Sequence, residues 1–182
     1  MALTGKDLIP EKDTNWLVKN LIKRKDSILL LGQPHRGKSW LIYQQAICAA
    51  LGTDFLQDES LSTSECSVLL VNEDCPSETM LQRLQRIAAY YNSSLDKLPI
   101  KIHTMEGIGL DTSKGIKKIC TDIDEMQPPV LLALDCLENM FPTWDLCRSV
   151  AGAKIFQVYE QIRADRDVTI LTAHHTSMKG KY

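Results

Sequence analysis

Between residues 32 and 39 the chain reads Gly32-Gln33-Pro34-His35-Arg36-Gly37-Lys38-Ser39, with two glycines framing four residues and a lysine and a serine directly after the second. That spacing suits phosphate chemistry. Glycines let a backbone wrap around an anion with its N–H groups turned inward, and a helix that starts there adds unpaired N–H donors and a partial positive charge. Lys38 then supplies a mobile positive charge for β- and γ-phosphate oxygens, and the Ser39 hydroxyl is placed to ligate Mg²⁺. The expected nucleotide-contacting set is Gly32, Gln33, Pro34, His35, Arg36, Gly37, Lys38, Ser39 and Trp40. A chance match to this pattern is expected in roughly one chain of this length in two hundred. The apolar run before it and the helical pattern after it make chance rarer still, so a glycine turn beside an incidental lysine is the weaker reading.

Hydrolysis of a bound triphosphate needs two further acids. VLLALD ends on Asp135, an acidic residue at the end of an apolar strand, where it could hold Mg²⁺ through the water shell; the plainer alternative is a turn or helix cap. SVLLVNED ends in Glu73 and Asp74, either of which could orient or deprotonate a water. Glu73 is preferred because central strand ends converge on the phosphate crevice, whereas Asp74 precedes Cys-Pro-Ser and can serve the next helix's cap. The last apolar run leads into His174, His175 and, further on, Lys179. A histidine there can donate to the γ-phosphate or to the attacking water, and Lys179 can bring positive charge to a transition state, in its own subunit or a neighbour's. Adjacent strand residues point to opposite faces, so the two histidines are not expected to share one ion, and one of them is expected to be structural.

The elements that must position these residues follow from apolar periodicity. SILLLG, SVLLVN, Ile100–His103, VLLALD and VTILTAH read as strands, and helices are expected after the glycine-rich loop, from Ser77, over about residues 112–126, and near residues 153–164. Gly52 is a good helix terminator, and Met80, Leu81, Leu84, Ile87 and Ala88 make the second helix amphipathic. Asn15–Lys23 reads as a short helix with Trp16, Leu17, Leu21 and Ile22 near one face, residues 1–13 as an arm, and Cys136–Val150 as an irregular segment. Strands apolar throughout, separated by helices, require a parallel sheet covered on both faces. The expected class is therefore α/β, a three-layer sheet flanked by helices, forming one domain over residues 14–182.

Composition narrows the function classes. The 182 residues are 44% hydrophobic, enough for one domain's core, and 24% charged with a net charge of −2, so no global basic excess favours non-specific nucleic-acid binding. Six cysteines without a CxxC pair favour free thiols in a reducing cytoplasm over disulfides or a zinc site. No run approaches the roughly 18 apolar residues of a membrane span.

Taken together, GQPHRGKS, the VNED strand end, LLALD and the terminal HHTSMK resemble the RecA-like P-loop ATPases, over about Trp16 to Lys179. The branch they look most like contains the RepA-type hexameric replicative helicases and related RecA/RadA-like AAA proteins. In that branch Trp16 to Ile22, Glu73, His174, His175 and Lys179 correspond to familiar features. The resemblance implies a mainly parallel RecA-like sheet and Mg²⁺-dependent ATP hydrolysis between subunits of a homo-oligomeric ring or filament, hexameric in that branch. It implies coupling to single-stranded DNA in replication, recombination or repair. RecA-like cores continue with further strands, so a chain ending at Tyr182 is expected to stop short of a full core. Two rivals stay open. A P-loop kinase would keep Lys38 and Asp135 but needs an Arg-rich lid that is not evident here, and a nucleotide-switched regulatory module would bind ATP with little hydrolysis. The absence of an NKxD-type motif leans towards adenine over guanine.

Overall fold

Six-residue apolar runs bounded by polar turns form strands here, and amphipathic runs between them form the covering helices. In a computed structural model describing residues 15–146 and 149–176, the order is β1 (Trp16–Val18), β2 (Ile22–Lys23), β3 (Ser27–Gly32), α1 (Lys38–Leu51), β4 (Ser67–Asn72) and α2 (Ser77–Tyr90). There follow β5 (Ile100–Thr104), α3 (Ser113–Asp124), β6 (Val130–Asp135), α4 (Leu137–Met140), α5 (Ser149–Arg163) and β7 (Val168–His175). The expected arm over residues 1–13 lies outside the described residues.

Strands β3 to β7 form one sheet in spatial order β3-β7-β6-β4-β5, and every pairing in it is parallel. Side-chain alternation divides the core into two layers. Val68, Leu70, Leu131, Ala133, Leu171 and Ala173 face one cluster with Ile42, Ala46 and Ile47 of α1 and Met80 and Leu84 of α2. Leu69, Val71, Leu132, Leu134 and Ile170 face the other, with Ile119 and Ile123 of α3 and Val158, Tyr159 and Ile162 of α5. Burial on both faces is why β4 and β6 are apolar at every interior position. The α/β three-layer architecture is the expected one.

Several local expectations are corrected. Asn15–Lys23 is an antiparallel hairpin, not a helix. Asn20 takes a left-handed φ of 62°, which turns the chain. Backbone bonds to the neighbouring loop, Lys19 N–H to Ser62 O at 2.9 Å and Ser64 N–H to Leu17 O at 2.8 Å, favour the extended form over a nine-residue helix that would be marginal alone. Leu17, Val18 and Ile22 are buried, but Leu21, expected on the packed face, is 53% exposed. The described residues of the segment expected to be irregular include helix: α4 forms at once after β6, and α5 starts at Ser149. Leu81 of α2 is exposed rather than packed.

The glycine-rich loop's own strand departs most from the expectation of two covered faces. As an edge strand, β3 packs Ile28 and Leu30 against the α1 layer and leaves Leu29 and Leu31 at 45% and 54% exposure. Truncation should expose this asymmetry. Leu132→Ala, in the fully buried centre of β6, is expected to cost about 2–5 kcal/mol in urea unfolding. Leu31→Ala, already half in water, is expected to cost less than about 1 kcal/mol. Equal losses would contradict the layering.

Candidate functional site

Parallel pairing brings the carboxyl ends of four strands to one edge, level within the pairs β3–β7 and β4–β6, with β7 running two residues past β6. Gly32 registers with His175 across β3 and β7, and Asn72 with Asp135 across β4 and β6. The glycine-rich loop leaves β3 at this edge and enters α1 at Lys38. Gly37 caps that helix in a left-handed conformation, φ 83°, where a Cβ would meet nothing within 4 Å but would strain the backbone. His35 also takes a left-handed φ, 60°. The loop opens on a cavity of about 580 Å³ lined by Pro34, His35, Arg36, Gly37, Lys38, Ser39, Trp40, Asp74, Cys75, Arg83 and His175. Gly32 and Gln33 sit just behind it, their carbonyls turned to the lysine.

Lys38 is only 6% exposed. Its ammonium donates to Gly32 O at 2.8 Å and to Gln33 O at 2.9 Å, and it lies 2.9 Å from His175 Nδ1. An ammonium has no lone pair to accept with, so His175 Nδ1 is the acceptor. The loop is thereby tied to the far strand. His174 points the other way, its Nδ1 2.7 Å from Glu138 Oε1, so the two histidines part as strand alternation requires. Glu138 also accepts from the His175 N–H at 2.8 Å. Burial pushes this carboxyl up, but the hydrogen bonds from His174 and the backbone more than offset it and leave it at about 2, against an ordinary 4.5.

Asp135 is 2% exposed and accepts from the Tyr43 hydroxyl at 3.0 Å. Desolvation raises its pKa; the Ser39 and Tyr43 hydroxyls oppose that, so Ser39 and Asp135 meet as expected of a shared cation site. Among the described residues no lysine or arginine forms an ion pair with Asp135. A buried carboxylate beside a serine hydroxyl and a phosphate-type loop is the donor set a hard, oxygen-seeking Mg²⁺ takes, so the residues present fit that ion.

The two acids after β4 divide sharply. The Glu73 carboxylate accepts three backbone N–H groups, from Glu106, Gly107 and Ile108, each at 3.1 Å, and so holds the loop after β5. That loop is fixed from behind by His103, whose ring nitrogens lie 2.8 Å from Glu106 Oε1 and 2.7 Å from Asp122 Oδ2. Asp74, by contrast, is exposed and lines the cavity. Asn72 shapes the turn that puts it there, donating to Cys75 O at 2.7 Å and to Thr104 Oγ1 at 2.9 Å.

Lys179 lies outside the described residues. The aromatics of the 136–150 segment pack on themselves: Phe141 is buried, its ring centroid 4.9 Å from Trp144 and 6.4 Å from Tyr159. Three further residues belong to the site. Tyr43 stands one turn after Ser39, a spacing that places both on one helix face and could have flagged it. Asn72, the polar end of an apolar strand, carried a similar signal. Arg83, 5.6 Å over the Trp40 ring, is on a helix whose sequence reads only as amphipathic and gave none.

A parallel sheet, a glycine-framed loop entering a helix, and a Lys–Ser–Asp convergence at the strand ends define a P-loop ATPase-type domain. The sequence profile of the AAA domain family matches residues 3–181, and the chain belongs to that family. No curated protein matches it. No helix among the described residues is long and apolar enough to cross a membrane.

Two outcomes follow. Glu73→Ala should speed amide hydrogen exchange at Glu106, Gly107 and Ile108 by tenfold or more while β4 and β6 amides keep their protection; this is about the loss expected when hydrogen bonds to a charged acceptor are removed. Because the Glu138 carboxyl is depressed in the fold, the stability it contributes is present above about 4.5 and is lost as pH falls towards about 2. The difference in thermal midpoint between wild type and Glu138→Gln should shrink across that window; a constant difference would contradict it.

Proposed function

We propose that the chain binds and hydrolyses Mg-ATP as a RecA-like domain of a homo-oligomeric ring or filament, coupled to DNA replication, recombination or repair. The observation that carries the ATPase part is the convergence of Lys38, Ser39, Asp135, Asp74 and His175 at one sheet edge. The coupling to single-stranded DNA and the helicase-like branch rest on the resemblance of GQPHRGKS, VNED, LLALD and HHTSMK, and a cytoplasmic site of action rests on six cysteines without a CxxC pair. The same reading takes residues 14–182 as one ATPase domain preceded by an arm.

In this proposal the N–H groups of residues 32–39 hold the β-phosphate, and Lys38 leaves the Gly32 and Gln33 carbonyls for β- and γ-phosphate oxygens. Ser39 and Asp135 would hold Mg²⁺, which supplies charge neutralisation between the β- and γ-phosphates. A carboxylate orients the attacking water and takes its proton while the new oxygen–phosphorus bond forms and the bond to the bridging oxygen breaks. Glu73 can do this only after releasing the 106–108 amides, whereas Asp74 already faces the cavity. His175, once Lys38 has left its ring, can hydrogen-bond the γ-phosphate. Lys179 would add positive charge at the transition state, in its own subunit or the next.

The three N–H groups on Glu73 favour a second reading, a nucleotide-switched module in which ATP binds but turnover waits for the 106–108 loop to let go. Mg-ATP hydrolysis with and without single-stranded DNA separates the two. The motor predicts turnover raised by DNA, nucleotide binding lost in Lys38→Ala, and a fall of about 10²–10⁴ in either Glu73→Gln or Asp74→Asn with binding kept. Tight binding without turnover under any assembly condition would sink the motor and leave the switch.

A further inference from the structure

We propose that Asp74, Cys136 and His175 form a binding site for a thiophilic divalent cation of the zinc type, separate from the Ser39–Asp135 pair. Each residue offers one ligand atom, and these atoms all lie within 4.8 Å of one another. Cys136 Sγ is 3.7 Å from Asp74 Oδ1. The three come from the turn after β4, the residue after β6 and the last residue of β7, so the sheet edge that carries the glycine-rich loop also carries this cluster.

The chemistry of the set selects the ion. One sulfur, one imidazole nitrogen and one carboxylate oxygen, the last two from residues that line the cavity, match the three-ligand open sites in which Zn²⁺ keeps a water or exchangeable group. Mg²⁺ takes oxygens and gains nothing from a thiol, so the two sites differ in the ion they prefer. Binding forms one metal–sulfur bond and releases the thiol proton to solvent. Lys38 now occupies His175 Nδ1, so an ion on that nitrogen must displace the ammonium, and an ion on Nε2 must displace the ring proton. Cys136 is almost wholly buried while Asp74 is exposed, which leaves the ion an entry path from the cavity and a sulfur shielded from solvent.

The site does not require that the chain hydrolyse ATP, so its test uses reduced, nucleotide-free, full-length protein. Titration with Co²⁺ is expected to raise a sulfur-to-cobalt charge-transfer band in the near ultraviolet that saturates at one equivalent and is bleached by one equivalent of Zn²⁺. Cys136→Ser should lose the band and Cys75→Ser should keep it. Asp74→Asn changes an exposed side chain and leaves the core untouched; it should weaken Co²⁺ binding at least tenfold, and His175→Gln likewise. No band in the wild type, a band that survives Cys136→Ser, or unchanged affinity in Asp74→Asn would overturn the proposal. Should Cys136→Ser fail to fold by circular dichroism, the Asp74 and His175 variants decide it alone. Failure here would leave the expected loss of Mg-ATP binding in Lys38→Ala standing, since Lys38 is not one of the three ligands, although Asp74 and His175 line the same cavity.

Discussion

Everything chemical in this molecule depends on parallel pairing that ends at one edge. A parallel sheet delivers the carboxyl end of each strand to the same side, and the register here is level across β3–β7 and β4–β6. Gly32, Asn72, Asp135 and His175 therefore lie together although up to 143 positions separate them in the chain. A one-residue slip in β6 would exchange Leu134 and Asp135 between faces and put a carboxylate into the apolar layer beneath α5, so the buried core itself enforces the site's geometry.

Three buried polar side chains at that edge find partners across the strands. Tyr43 reaches Asp135 at 3.0 Å, Asn72 spans the turn after β4 and Thr104 of β5, and Lys38 ties the glycine-rich loop to β7. Such a network is costly if any member is left without a partner, which makes it rigid and specific. It also holds Lys38 on acceptors that phosphate oxygens can replace, so an incoming anion exchanges partners for a cation already desolvated and does not have to bury one.

Glu73 shows how a small step in sequence separates two roles. It and Asp74 are neighbours just past the end of β4, yet the turn there sends one carboxylate onto the amides of 106–108 and the other towards the cavity. The first ties the loop after β5, and behind it the pair of His103 on β5 and Asp122 on α3, to the turn beside the glycine-rich loop.

The α/β class, the strand positions and the phosphate-binding loop were legible in the sequence because each is a local pattern: continuous apolar runs, amphipathic spacing, and a glycine frame whose backbone demands are met within eight residues. The place of Asp135 at the end of β6 was legible for the same reason, as an acid closing an apolar run. What tertiary structure alone decided is whatever depends on neighbours far along the chain. The hairpin at Trp16–Lys23 forms because the 62–64 backbone offers it partners, overriding a helical spacing of apolar residues. The edge position of β3, with Leu29 and Leu31 half exposed, cannot be read from a strand as apolar as β6, because strand order is not encoded in any one strand. The division of labour between Glu73 and Asp74, and the meeting of Asp74 with Cys136 and His175, follow from where three strand ends arrive, which is set by packing across the whole sheet.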